Sequence, residues 1–409
     1  DGGVHFKPVF DATDAASIGA LAIAPSDPNT VWAGTGESYI IRGYTGFGDG
    51  IYKSTDAGAS WQHMGLDETG HIAQIIVDPK NPQVVYACAI GQAYRPNAER
   101  GVFRTADGGK TWTQVLKIND TTGCSSISMD AHDPQTLFAG AWPLQIKPWD
   151  LNSGGPEGGV FVTHDGGTTW ARVSGHGLPA KGSMIGRVTV RVAPGNGKVV
   201  YVLMQGPKGD GLLYRSSNGG TDWTLVKETN ELAVRPAYFM NFAVSPANAD
   251  ELYFVSQSFL VSLDGGRTLL NNSRRGAAAA PAKDPRIGNY VGGDTHDIWI
   301  DPKNPDRIMT ANDFRGDITL NGGKSWFVVD LPIAQIYHVY TDNEIPYNVI
   351  GNRQDADGVE GPSRVLTHGF GSNGFIPASA WHGYAGCESG FGVPDPTDSN
   401  IIWTGCYRS

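Results

Sequence analysis

The chain of 409 residues holds 55 glycines and 25 prolines, about a fifth of all positions, against the roughly 12% of average usage, which leaves little room for long helices. Hydrophobic residues make up 40% and charged residues 18%, so there is material for a core and no signature of disorder. A formal net charge of −10 argues against nucleic acid or an anionic membrane surface as partner, and no run of 18 apolar residues offers a membrane span.

Along the chain, one eight-residue pattern recurs. It stands as Ser54-Thr-Asp56-Ala-Gly58-Ala-Ser-Trp61, Thr105-Ala-Asp107-Gly-Gly109-Lys-Thr-Trp112 and Thr163-His-Asp165-Gly-Gly167-Thr-Thr-Trp170. Three looser copies centre on Asn218, Asp264 and Asn321, and Asp1-Gly-Gly3 resembles the end of another. The acidic or amide positions lie 55, 51, 58, 53, 46 and 57 residues apart. The pattern reads as a turn in which Asp or Asn bonds backbone N–H groups two residues on, Gly takes positive φ, and Trp packs between neighbouring units. A motif repeated seven times is scaffold rather than catalyst.

Ahead of each copy stands a second repeat: an apolar strand, an Asp-Pro-type turn and another strand, as in Ile72 to Asp78-Pro-Lys-Asn-Pro82 to Cys88 and Asp297 to Asp301-Pro-Lys-Asn-Pro305. Each period thus holds four short strands, A to D, which is the unit of an all-β propeller blade. The expected organisation is a single β-propeller over 1–409 with about seven to eight blades. Residues 1–10 supply an outer strand, 11–331 six blades, 335–386 a seventh, and 387–409 a partial blade with strands near 388–393 and 401–406. Whether the two ends combine into one closing blade, or the chain is a piece of a longer one, stays open.

The eight-residue pattern matches the Asp-box, or bacterial neuraminidase repeat. Together with Val31-Trp-Ala-Gly-Thr-Gly-Glu37, Gly48-Asp49-Gly50-Ile-Tyr, Asp297-Ile-Trp-Ile-Asp-Pro302 and Gly386-Cys-Glu388-Ser-Gly-Phe, it makes the whole chain resemble the bacterial sortilin-like or "glycosyl hydrolase" Asp-box proteins. More distantly it is similar to family 74 xyloglucanases, sialidases, sortilin ectodomains and photosystem assembly factors. The resemblance implies an exported protein, whether secreted, periplasmic or at the cell surface. It implies a function toward glycans or polypeptides only by analogy.

Blade geometry puts the A–B and C–D turns on one face and the D–A and B–C connections on the other, where a ligand site is expected. The loops of that face are 37–49, 92–100, 142–157, 312–317 and 353–364, with an insertion at 274–293. Residues entering the innermost strands there are His71, Arg187, Asp294, His296, Asp297, His338 and Glu388. A glycosidase needs two carboxylates, and Asp297 and Glu388 are best placed, with Glu37, Asp49, Asp313 and Asp355 as alternates. The competing reading is that these carboxylates cap backbone N–H groups. Arg42, Arg95, Arg187, Arg315 and Arg353 would serve an anionic sugar, but no Arg-Ile-Pro sequence supports a sialidase. Tyr39, Tyr44, Tyr94, Trp142, Trp149 and Tyr290 offer rings for stacking on pyranoses, or for packing their own loops.

No cofactor or metal is expected beyond a structural calcium ion, for which Asp355-Ala-Asp357-Gly358 has suitable residue types. His296 and Asp297, adjacent in a strand, are expected to point apart and not to chelate together. Cys387 and Cys406 fall on adjacent strands of the last blade and Cys88 and Cys124 on neighbouring blades, so each pair is placed for a disulfide; free thiols are the alternative. The two functional readings are a glycan-binding, hydrolase-like propeller and a non-catalytic, sortilin-like module that holds a polypeptide.

Overall fold

The computed structural model describes residues 7–40, 45–271, 292–313, 315–329, 334–365 and 376–406. Apart from three short 3-10 turns, every regular element among them is a β-strand. They form six sheets in which four consecutive strands pair antiparallel in chain order, one five-stranded antiparallel sheet, and one two-stranded hairpin. These are β-propeller blades. The chain divides into two compact units, the larger holding residues 1–312 and 316–328, the smaller 313–315 and 329–409.

In the larger unit the first strands of blades 1 to 6 are Ile18–Ala24, Ile72–Val77, Thr122–Met129, Val188–Ala193, Asn241–Val244 and Thr295–Ile300. Each touches the first strand of the next, so these strands are innermost. Fourth strands such as Gln62–His63 and Ala171–Val173 are largely solvated. In the smaller unit, blade 7 comprises Ile336–Thr341, Asn348–Arg353, Gly358–Pro362 and His382–Tyr384, followed by the hairpin Gly392–Pro394 with Ile402–Thr404.

The six described copies of the repeated turn share one geometry. In blade 2 the Asp107 carboxylate accepts the Thr111 N–H at 3.0 Å and the Thr111 hydroxyl at 2.7 Å, while Thr105 Oγ1 accepts the Gly109 N–H at 3.0 Å. The side chain therefore reaches four residues on, not the expected two. The two-residue reach occurs instead in the Asp-Pro turns, where Asp78 and Asp301 accept the N–H of Lys80 and Lys303, both at 2.8 Å. Two consecutive residues in each repeated turn take positive φ, which explains the paired glycines; Ala57, at φ 59°, is the exception.

In blades 2, 4 and 6 the closing tryptophan seals the blade onto its predecessor. Trp112 donates to Met64 O at 2.9 Å and meets Trp32 edge-on at 6.1 Å; Trp223 meets Phe138 at 6.5 Å and Trp326 meets Phe259 at 5.7 Å. Trp61, in blade 1, packs on Phe10 at 5.1 Å.

Three expectations need correction. Residues 7–10 form no strand, and the rest of the expected outer strand at 1–10 lies outside the described residues. The 142–157 segment is not a loop: strand two of blade 3 runs on as Leu137–Lys147 and doubles back through Asp150–Ser153, pairing Leu144 with Ser153 and Lys147 with Asp150. Half of 353–364 is likewise strand, Arg353 ending one strand and Gly358–Pro362 forming the next, with a turn at 354–357 between them.

Candidate functional site

Blades 4, 5 and 6 bring three polar side chains of their first strands together. Arg191 sits mid-strand and donates from Nε to Phe242 O at 3.0 Å and from Nη2 to Asn241 Oδ1 at 2.6 Å. Its Nη1 reaches Val190 O at 2.8 Å and Gln74 Oε1 of blade 2 at 3.4 Å. Asn241, its carbonyl thus held, turns its amide to Asp297 Oδ1 at 3.0 Å and to His296 O at 3.2 Å. The Ile298 N–H adds a second donor to Oδ1 at 2.9 Å. Oδ2 of Asp297 accepts no hydrogen bond from the described residues.

Asp297 is open to water although protein surrounds it. That enclosure raises its carboxyl pKa above the ordinary 3.8, against the opposing pull of the Ile298 N–H, Arg191 and Asn241. Access of water limits the rise. A register shift between Thr295 and Asp297 bulges this strand and breaks the strict alternation expected for His296 and Asp297. His296 accordingly lies close enough to help hold the Asp297 charge.

The His296 ring stacks on Phe239 at 5.2 Å and meets Tyr238 at 4.4 Å and Tyr39 at 4.7 Å. Behind Tyr39 lies Arg187, its guanidinium 5.4 Å from the Tyr39 ring and 5.2 Å from that of Trp142, with Nη1 donating to Ala237 O at 2.8 Å. Burial lowers Arg187 to about 10, so it stays cationic at neutral pH. Burial also raises the Tyr39 hydroxyl, with Asp297 adding to the effect. Two non-glycine residues just ahead of the inner strands, Met240 at φ 85° and Asp294 at φ 47°, hold positive φ. Strain of this kind costs on the order of 1–3 kcal/mol and collects at functional sites.

One wall of this site is a hydrophobic cluster built from connections of blades 1, 2, 3 and 5: Ile40, Ile90, Ala93, Trp142, Leu144, Ile146 and Ala237. The blade 3 hairpin is its centre. Ile146 N donates to Ala93 O at 2.8 Å, and buried Arg100 donates from Nη1 to Leu144 O at 3.0 Å and Thr121 O at 3.1 Å. Trp142 is 0% exposed, with its indole N–H on Ser153 Oγ at 3.0 Å. It cannot stack on a ligand, contrary to expectation, and instead forms the floor under Arg187.

The remaining candidates divide between local structure and other parts of the chain. Glu37 Oε2 accepts the Thr45 hydroxyl at 2.9 Å and the Gly46 N–H at 3.2 Å, pinning its own loop. Asp49 is held by the Thr35 hydroxyl at 3.2 Å and the Tyr52 hydroxyl at 2.5 Å. Both act as caps. His71 is buried, with Phe47 stacked on its ring at 5.3 Å, and burial followed by Arg100 lowers it to about 4.

Glu388 lies in the smaller unit, where it accepts from Gln354 Nε2, whose Oε1 in turn accepts from Tyr337. Arg353 Nε donates to Asp357 O at 2.9 Å. Asp313 is exposed and Arg315 half-buried, and both count with the smaller unit. The two carboxylates expected as a catalytic pair, Asp297 and Glu388, therefore belong to different units. Arg42, Tyr44, Tyr290 and most of the 274–293 insertion lie outside the described residues. No group of three potential metal ligands occurs among the described residues, the Asp355–Asp357 turn included.

Cys88 is bonded to Cys124, linking blades 2 and 3, and Cys387 to Cys406. Arg191, Asn241, Tyr238 and Phe239 were not anticipated. Their signal was an arginine inside the apolar run Val188-Thr-Val-Arg191-Val-Ala and an asparagine opening Asn241-Phe-Ala-Val.

The fold and this site define a β-propeller with a carboxylate-bearing recess at the ends of its inner strands. No family model matches the chain. It is distantly homologous to xyloglucanases: 24% identical over 369 residues to Xyloglucanase Xgh74A of Acetivibrio thermocellus, covering 75% of this chain and 40% of that one. It is 26% identical over 163 residues to a xyloglucanase of a Paenibacillus species, covering 38% and 15%. The chain thus spans less than half the length of these curated relatives. Among solved structures it is similar to a GH74 enzyme of Niastella koreensis, at 15% identity and TM-score 0.45 over 93% of this chain and 58% of that one. It is also similar to YCF48 from Cyanidioschyzon merolae, at 13% identity and TM-score 0.47 over 84% and 95%. No helix among the described residues is long and apolar enough to cross a membrane.

Proposed function

We propose that this chain is an exported Asp-box propeller that binds a glycan at the recess around Asp297, on the face opposite the repeated turns. The observation that carries this reading is the solvent-open Asp297 carboxylate, fixed through Asn241 and Arg191 and bordered by the rings of Tyr39, Tyr238 and His296. A positioned hydrogen-bond acceptor beside aromatic faces suits a sugar ring, which offers hydroxyl donors at its edge and apolar C–H faces. Distant homology to xyloglucanases supports a β-linked glucan as the ligand class. The two disulfides support export.

The hydrolase version of this reading has Asp297 as general acid, for which a raised pKa is suited. It needs a second carboxylate about 5–10 Å away. A sortilin-like module holding a polypeptide is the second reading.

Titration calorimetry against xyloglucan, other β-glucans and their oligosaccharides, with release of reducing sugar followed in parallel, tests the proposal. Binding that weakens roughly tenfold in Asp297→Asn, without turnover, is the expected result. Because enclosure raises the Asp297 pKa, the ionised acceptor is lost on acidification at a higher pH than for an ordinary aspartate. Affinity should fall there in the wild type and stay flat in Asp297→Asn. Turnover abolished by Asp297→Asn would establish the hydrolase version; no binding to any glycan would discard both and leave the polypeptide.

A further inference from the structure

The tip of the blade 3 hairpin carries a tryptophan that the fold does not use. Lys147 pairs with Asp150, so Pro148 and Trp149 alone make the turn. Two-residue hairpin turns favour Asn-Gly or Gly-X pairs, because those residues accept positive φ; tryptophan brings no such advantage. Trp149 is 82% exposed, the most exposed of the large aromatic side chains among the described residues. Trp142 and Trp223, by comparison, are buried in hydrophobic clusters.

The ring is nevertheless mounted on a rigid arm. Leu144 and Ile146 of the same hairpin are at most 2% exposed, and the arm is pinned by Arg100 to Leu144 O, by Ile146 N to Ala93 O and by Trp142 through Ser153 to Gln205. Its base is the floor under Arg187, one wall of the Asp297 recess. From Trp142 to the tip the strand covers roughly 17–20 Å, at 3.3 Å per residue. Exposing a large ring at the end of a braced arm gives up hydrophobic stabilisation that burial would supply.

We infer that Trp149 is a remote platform on which one ring of a β-linked glucan chain stacks while another part of that chain occupies the Asp297 recess. This rests on the glycan reading of the recess. The surroundings favour a sugar over a membrane or a protein surface. Within the hairpin the exposed neighbours Pro148, Asp150 and Asn152 add no second large apolar side chain, whereas protein and lipid contacts draw on contiguous apolar patches. A single planar ring flanked by a carboxylate and an amide matches one pyranose face and its equatorial hydroxyls.

Calorimetry with soluble xyloglucan and with a short cello-oligosaccharide, on wild type, Trp149→Ala, Trp149→Phe and Asp297→Asn, tests this. Trp149→Ala should weaken the polysaccharide roughly five- to tenfold, leave the short oligosaccharide unchanged and leave the unfolding midpoint unchanged. Trp149→Phe should retain most of the affinity. If wild type binds both ligands, Asp297→Asn weakens both and Trp149→Ala weakens neither, the platform is wrong and the recess stands. If wild type binds neither, the recess reading fails and takes the platform with it. Self-association seen by sedimentation and abolished in Trp149→Ala would give the ring a protein partner and overturn the sugar assignment.

Discussion

The paired glycines of the repeated turn make separable demands, and the turn of blade 4 isolates them. Gly219 and Gly220 both hold positive φ, 73° and 87°. A Cβ on Gly219 would meet nothing within 4 Å, whereas one on Gly220 would stand 2.7 and 2.8 Å from two atoms of the Phe138 ring. That ring is 1% exposed and packs edge-on against Trp223, so it has nowhere to go. Gly219→Ala should therefore cost only the left-handed backbone penalty, roughly 1–2 kcal/mol, less about 0.4–1 kcal/mol returned by stiffening the unfolded chain.

Gly220→Ala carries the same backbone terms plus overpacking against a neighbouring blade, typically 1–3 kcal/mol, for a total of about 1–4.5 kcal/mol. Ala57, the one natural alanine at the first position, runs the experiment in reverse: Ala57→Gly should stabilise by about 0.5–1 kcal/mol. Urea unfolding of the three variants and wild type, compared at a common slope, reads these differences. Equal costs for Gly219→Ala and Gly220→Ala would refute the idea that the second glycine exists to let the turn seat on the preceding blade.

His71 offers an acid-stability test. Its folded pKa is lowered from 6.5 to about 4 by burial and by Arg100. The unfolded chain then binds a proton that the folded one does not, so stability is lost as pH falls from about 6.5 toward 4, by up to about 3 kcal/mol. His71→Phe, which keeps a ring against Phe47, should flatten that limb of a pH–stability curve; an unchanged limb would assign the loss to other groups. The disulfides should differ in accessibility: Cys88 and Cys124 are buried while Cys406 is exposed. Mild reductant followed by alkylation and peptide mapping should label Cys387 and Cys406 first, and simultaneous labelling would contradict the burial argument. Removing Cys88–Cys124, which closes 36 residues of sequence, should cost about 4 kcal/mol, against about 3 kcal/mol for the 19 residues closed by Cys387–Cys406.

Blade architecture was readable because it is written in local chemistry. A Gly pair with consecutive positive φ, an Asp that accepts an N–H four residues on, and a Trp that seals the turn are all consequences of eight adjacent residues, so each copy announces itself. The hairpin of blade 3 was less legible. Residues 142–157 hold five Gly or Pro positions before Glu157, and read as a loop, but Leu144, Ile146 and Leu151 alternate with polar neighbours. That period-two pattern was outweighed by turn residues whose strand was stabilised from outside, by Ile40, Ala93 and Arg100 of other blades.

The recess divides the same way. Asp297 was found because the blade period locates the entry to each inner strand. Arg191 and Asn241 were not, since a polar side chain on an inner strand becomes meaningful only when two neighbours, each some 50 residues away, turn groups toward it. The Asp297 side chain itself is aimed by a bulge between Thr295 and Asp297, and a bulge shifts the pleat by one residue without leaving a mark in composition. A period can therefore say which strands meet at the axis. Which atoms meet there is decided by register, and at this site register is set by the partner strand Ile308–Asn312 rather than by the residues that carry the chemistry.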